Sequence, residues 1–151
     1  MKVKDIMVEK VISVTKDTKV VEIAKLLIEK RIHGVPVIED NKVIGIITET
    51  DFFVKGNNNL YLPSFIEFMK KTNFSKTILF NNKKKKMKEI EKASAKDIMT
   101  VGCKTVSPEM ELSEILNIFK ATNFHTLPVV GKEGSLCGII TLADIISLVR
   151  L

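Results

Sequence analysis

Apolar and polar positions along this chain form one short pattern that occurs twice. Near the start, residues 11–14 (Val-Ile-Ser-Val) have strand character. Apolar residues then recur three and four apart at Val20, Ile23, Ala24, Leu27 and Ile28, the stripe of an amphipathic helix. Val35-Pro36-Val37-Ile38 predicts a strand with its proline at an edge or entry position. A turn at residues 39–42 leads to a third strand at 43–47, and a helix is expected from Thr48. The second half repeats each part, with a strand at 103–106 and a helical stripe of Leu112, Ile115, Leu116, Ile118 and Phe119. Leu127-Pro128-Val129-Val130, a turn at 131–135, a strand at 136–140 and a helix from Thr141 complete it. The predicted order is β-α-β-β-α, twice.

Identity recurs along with pattern. Lys4-Asp5-Ile6-Met7 returns as Lys96-Asp97-Ile98-Met99, an offset of 92 that continues through Glu22/Glu114, His33/His125 and Pro36/Pro128. One extra residue in the second turn shifts the offset to 93, so Gly45-Ile46-Ile47-Thr48 matches Gly138-Ile139-Ile140-Thr141 and Asp51 matches Asp144. About 50 residues bury too little surface to be stable alone, so the two copies are expected to pack face to face around a pseudo-twofold axis. This divides the chain into a first repeat (1–55), an insert (56–93) and a second repeat (94–151).

Composition narrows the class. The 151 residues are 45% hydrophobic and 28% charged, the mixture of a globular protein. No apolar run approaches the ~18 to 20 residues of a membrane helix, and the charged start is unlike a secretory signal, so a cytoplasmic protein without membrane contact is expected. The net charge of +6 suggests a nucleic-acid partner until it is partitioned. Residues 52–93 hold ten lysines and three glutamates, a net +7, and the remaining residues carry −1. The excess belongs to the insert, whose Ser64 is a candidate helix N-cap, whose Phe65, Ile66, Phe68 and Met69 form an apolar stripe, and whose residues 83–92 predict a charged helix. A solvated linker, or a lid or docking surface, fits this segment better than a nucleic-acid site, since only Arg31 and Arg150 among 24 basic residues are arginine.

Two pairs of residues recur where chemistry could sit. Thr48-x-x-Asp51 and Thr141-x-x-Asp144 fall where a strand turns into a helix. Such a pair can act as a capping box, the hydroxyl and the acid bonding free backbone amides. It can equally accept hydrogen bonds from the cis-diol of a ribose. His33 and His125, each three residues before a strand proline, are either structural or face a shared cleft. Cys103 and Cys137 match Val11 and Ile44 and are expected to be buried packing residues, as are Met7 and Met99. No nucleophile set, nucleotide loop or metal-ligand spacing is present, so no catalysis and no metal are expected.

Lys-Asp-Ile-Met, His-x-Val/Leu-Pro-Val and Gly-x-x-Thr-x-x-Asp, each repeated in order, resemble a tandem pair of cystathionine-β-synthase (CBS) domains, the Bateman module. The likeness spans residues 3–55 and 94–151. It implies an α/β (α+β) fold of two pseudo-twofold-related repeats with small sheets packed on helices. It also implies a stand-alone regulatory sensor that requires no cofactor and binds an adenosine-containing effector (AMP, ADP, ATP or S-adenosylmethionine) between the repeats. In that family the acid grips ribose, which assigns Asp51 and Asp144 to ribose with Thr48 and Thr141 beside them. His33 and His125 then lie toward the phosphate or sulfonium end. Thr15 and Ser107, ending the first strand of each repeat, would hold the base edge, against apolar walls from Ile12, Val35, Val37, Ile44, Leu127 and Val129. The family often has arginine after the histidine; here Gly34 and Thr126 stand there, leaving Lys16, Arg31, Lys104 or an insert lysine to meet a phosphate. A homodimer and a regulated enzyme or transporter are the implied partners; a ligand-free scaffold is the alternative.

Overall fold

The computed structural model describes residues 1–52 and 91–149. The predicted Ser64 cap, the 65–69 stripe and all but the end of the 83–92 helix lie outside them. The elements are helix α1 (Val20–Glu29), strands β1 (Gly34–Glu39) and β2 (Lys42–Thr48), a short helix α2 (Ala95–Ile98), strand β3 (Thr100–Val101), helix α3 (Leu112–Ala121), strands β4 (Thr126–Val130) and β5 (Leu136–Thr141), and helix α4 (Leu142–Ser147). Single 3-10 turns occupy Val3–Asp5 and Glu49–Phe52. The architecture is α+β.

The helical stripes form as their spacing requires. Val20, Ile23, Ala24 and Leu27 bury the inner face of α1, and Ile115 and Phe119 that of α3. Each helix covers one antiparallel hairpin, β1·β2 or β4·β5. Asp40 and Asn41 close the first hairpin with φ of 50° and 62°, the left-handed pair that a two-residue turn demands. Both hairpins carry a register shift at one equivalent place, after Val37 and after Val129. Pro36 and Pro128 sit where the missing N–H removes no ladder bond: their carbonyls face outward and accept from Val14 and Val106.

Those bonds also correct the first predicted strand of each repeat. Residues 11–14 and 103–106 are not strands; Val14 and Val106 each make one parallel bridge, to Val37 and Val129. The third strand of the first sheet, and an isolated bridge to the two-stranded second sheet, come from elsewhere. β3, which follows the Lys-Asp-Ile-Met of the second repeat, pairs with β2 of the first, and Val8, just after the first such motif, bridges to Ile139 of β5.

The repeats therefore exchange their leading segments. The amide of Val3 donates to Met110 O at 2.9 Å and that of Ala95 to Thr18 O at 2.8 Å. Lys4 donates to Pro108 O and Lys96 to Lys16 O, both at 3.0 Å. Leu112 donates to Met1 O and Val20 to Ala93 O, again both at 3.0 Å. Every bond has its twin at the repeat offset. Two hydrophobic cores result, each completed by the other repeat: Ala95, Ile98 and Met99 join Ile23, Leu27, Val35 and Phe52, while Val3, Ile6 and Met7 join Ile115, Phe119, Leu127 and Ile140. Asp5 and Asp97 accept from the amides of Lys2 and Ser94 at 2.7 and 2.8 Å, shaping the turn that presents each methionine.

Gly45 and Gly138 are explained by this exchange and not by backbone conformation. A Cβ at Gly45 would stand 2.9 Å from Thr100 O and 3.0 Å from Met99 Sδ; one at Gly138 would stand 2.7 Å from Met7 Sδ and 3.0 Å from Val8 O. The pseudo-twofold axis runs where equivalent residues meet: Lys42 bridges to Ser135, and the Thr126 methyl lies 3.4 Å from the Cβ position of Gly34.

The helices end differently. Past α1 the amides of Arg31 and Ile32 return to Ile28 O and Leu27 O at 3.3 and 3.1 Å, a Schellman motif that puts Arg31 at φ 52°. That conformation costs a side-chain-bearing residue roughly 1–2 kcal/mol. After α3, Thr122 is extended and no left-handed residue follows.

Two measurements follow from the exchanged segments. Gly45→Ala and Gly138→Ala each lower stability by about 1–3 kcal/mol in denaturant unfolding, because backbone carbonyls as well as methionine must shift. Lys2 and Lys4 hold Glu109 at 2.7 and 2.8 Å, and these bonds pull its carboxyl down to about 2. A depressed value means that the contribution is complete above pH 4.5 and is lost as pH falls toward about 2. Glu109→Gln flattens that part of the acid-unfolding curve.

Candidate functional site

Two clefts lie between the repeats, one on each side of the axis. The first, of about 190 Å³, is bordered by Thr48, Glu49 and Asp51 from the first repeat and by Thr100, Cys103, Lys104, Phe124 and His125 from the second. The second, of about 290 Å³, is bordered by Thr141 and Asp144 from the second repeat and by Lys10, Val11, Ile12, Arg31 and Gly34 from the first. Equivalent residues line equivalent places: Thr48 and Asp51 in one correspond to Thr141 and Asp144 in the other, and Cys103 to Val11. His33 and Thr126 border both clefts, and His125 borders the first.

Each Thr–Asp pair sits at the end of a hairpin strand, where backbone amides lack helical partners. In the second cleft the Thr141 amide and hydroxyl both donate to Asp144 Oδ2 at 2.7 Å, and the Asp144 amide donates back to the hydroxyl at 3.2 Å. The first pair is looser. The Thr48 amide donates to Asp51 Oδ2 at 2.8 Å, but its hydroxyl lies 3.4 Å from that oxygen and 2.8 Å from the Thr50 hydroxyl. Thr100, from the other repeat, reaches Asp51 Oδ1 at 3.5 Å. The capping geometry and the cleft position thus coexist: the Thr bonds engage Oδ2 and fix how each carboxylate faces its cleft.

The histidines are exposed. Their main chains anchor the following helical turns, His33 O accepting from Glu49 N at 3.2 Å and His125 O from Leu142 N at 3.0 Å. His33 Nδ1 also stands 3.2 Å from Glu49 Oε1 across the mouth of the first cleft.

Other expected positions fall elsewhere. Thr15 and Ser107 border neither cleft. Because no strand forms before them, they shape local turns, the Thr15 hydroxyl lying 3.2 Å from that of Thr18 and Ser107 Oγ accepting from Glu109 N at 3.2 Å. Lys16 pairs with Glu39 on an outer groove. Of the expected walls, Ile12 and Leu127 border the clefts, whereas Val35, Val37 and Val129 are wholly inside the cores. Neither cysteine is a core residue. Both are half-buried, and burial pushes the Cys103 thiol above its ordinary range. Glu49, Thr100, Phe124 and Lys10 were not marked by any motif; two of these four, Glu49 and Thr100, follow directly after a repeated segment, and only the exchange shows that Thr100 faces the other repeat's acid.

The sequence profile of the CBS domain matches residues 3–55 and 95–151. The chain belongs to the CBS domain family. Among its relatives, the uncharacterized protein MJ1426 of Methanocaldococcus jannaschii is 34% identical over 155 residues, covering 97% of this chain and 89% of that protein. This CBS pair also spans 21% of the inosine-5'-monophosphate dehydrogenase of Korarchaeum cryptofilum, at 29% identity. Among solved structures, CBSX2 of Arabidopsis thaliana in complex with AMP superposes with a TM-score of 0.70 at 25% identity, covering 97% of this chain and 94% of that one. The CBS domain pair of protein MJ0100, in complex with 5'-methylthioadenosine and S-adenosyl-L-methionine, shares the fold with a TM-score of 0.69 at 23% identity, covering 98% and 94%. No helix among the described residues is long and apolar enough to cross a membrane.

The two boxes differ in closure, and so they differ in what they contribute. Thr141→Ala lowers stability by about 1 kcal/mol in thermal or denaturant unfolding. Thr48→Ala, which removes a hydroxyl 3.4 Å from Asp51 Oδ2 rather than one at 2.7 Å, lowers it by less.

Proposed function

We propose that this CBS pair is a non-catalytic sensor module that binds an adenosine-containing ligand in the clefts between its repeats. The observation that carries this reading is the Thr–Asp pair, repeated in both clefts and facing a segment contributed by the other repeat. A carboxylate held through Oδ2 by a neighbouring amide and hydroxyl is a fixed acceptor. Two adjacent ribose hydroxyls are the donors that suit it, each such charge-assisted bond contributing about 1.5–3 kcal/mol. Apolar residues beside it, half-buried Val11 and Ile12 in one cleft and buried Ile46 and Leu127 in the other, offer a dry surface to a base. AMP in CBSX2 supports this ligand class, and the ligands of MJ0100 set the range to test, from AMP, ADP and ATP to S-adenosylmethionine.

Ligand contacts made to both repeats at once would favour one arrangement of the two, which is how binding becomes a signal. A homodimer and a regulated enzyme or transporter complete the proposal.

Thermal shift of the full chain tests it. At a hundredfold excess over Kd, a ligand stabilises by about 2.7 kcal/mol, which raises Tm by roughly 5–10 °C for a chain of this size. Asp51→Ala together with Asp144→Ala abolishes the shift while the ligand-free protein still melts cooperatively. A wild-type chain whose Tm is unmoved by millimolar AMP, ADP, ATP and S-adenosylmethionine would overturn the reading.

A further inference from the structure

The two clefts are related by the repeat, but their charges are not. In the first, Glu49 and Asp51 stand against Lys104; in the second, Lys10 and Arg31 stand against Asp144. The difference arises position by position. Arg31 corresponds to Asn123, Lys10 to Gly102 and Glu49 to Leu142, and each of these differences makes the second cleft the more positive. Among the described lining residues, only Lys104, opposite Ile12, runs the other way. Glu49 borders the first cleft, its carboxylate 3.2 Å from His33 Nδ1.

Arg31 is the residue that the fold alone least accounts for. It occupies the left-handed position of a Schellman motif, φ 52°, where glycine is the favoured residue. It makes no ion pair among the described residues, and it is exposed and borders the second cleft. A planar fork of donors is the group best matched to a phosphate. Resting on the adenosine-binding reading above, we propose that the two clefts divide ligands by charge: the cleft at Asp144 takes a phosphate-bearing nucleoside with Arg31 as its phosphate partner, and the cleft at Asp51 disfavours phosphate through Glu49.

Calorimetric titration of the full chain with AMP and with adenosine tests this. The wild type binds AMP at one site per chain and more tightly than adenosine, and Asp144→Ala removes that site. Arg31→Gly weakens AMP at least tenfold, leaves adenosine within twofold, and leaves the ligand-free Tm unchanged or higher, since glycine suits φ 52°. Lys16→Ala, which removes one positive charge away from both clefts, leaves AMP affinity unchanged and so separates a local partner from net charge. The division is overturned if Arg31→Gly keeps AMP affinity within twofold, if it weakens adenosine equally, or if AMP fills two equal sites. Binding of adenosine with no preference for AMP overturns the division alone, whereas binding of neither overturns the adenosine-binding reading itself.

Discussion

The reciprocal docking of each leading segment on the opposite repeat is the constraint on which the rest of this structure depends. Val3 and Ala95 fill the cores of repeats to which they do not belong in sequence. The following residues supply the third strand or bridge of the opposite sheet. Removing these segments would expose the ends of both helices and one edge of both sheets together. A unit of about 50 residues is marginal by its surface alone, and here each unit is closed only by its neighbour. The same crossing places Thr100 and Cys103 opposite Asp51, and Val11 and Ile12 opposite Asp144. Closing the cores and building the clefts are one event.

Capping follows the same economy. Asp5 and Asp97 shape the turns that start each repeat, and Asp51 and Asp144 shape those that end each hairpin. All four accept from the amide three residues earlier, so one local device orders the docking segments and aims the cleft carboxylates. The repeat leaves the two clefts with one plan and room to diverge in charge, since the charged lining positions at which they differ, Lys10, Arg31, Glu49 and Lys104, are exposed and carry little of the packing.

Much of this was legible in the sequence because it is local. The three- and four-residue spacing from Val20 and from Leu112 gives both long helices, and the proline-bearing apolar runs give both hairpins. Recurrence singled out Asp51 and Asp144, which do border the clefts. The failures share a cause. Residues 11–14 are a short apolar stretch with strand character, but only Val14 makes a bridge, and apolar character records burial without recording pairing. The exchange itself was invisible: an offset of 92 says which residues are equivalent, and it reads the same whether each segment folds onto its own repeat or the other. Lys10, Glu49 and Phe124 border the clefts without any motif to mark them, and Thr15 and Ser107 border neither.

Because residues 1–8 are held by the second repeat and residues 93–101 by the first, the halves grip each other at two separate places. Their association therefore has its own non-covalent strength, independent of the covalent connection through the insert. Cleavage of the backbone within that insert would turn one molecule into a heterodimer of two fragments without removing any of these bonds. In topology, the single chain already is a dimer whose subunits happen to be joined.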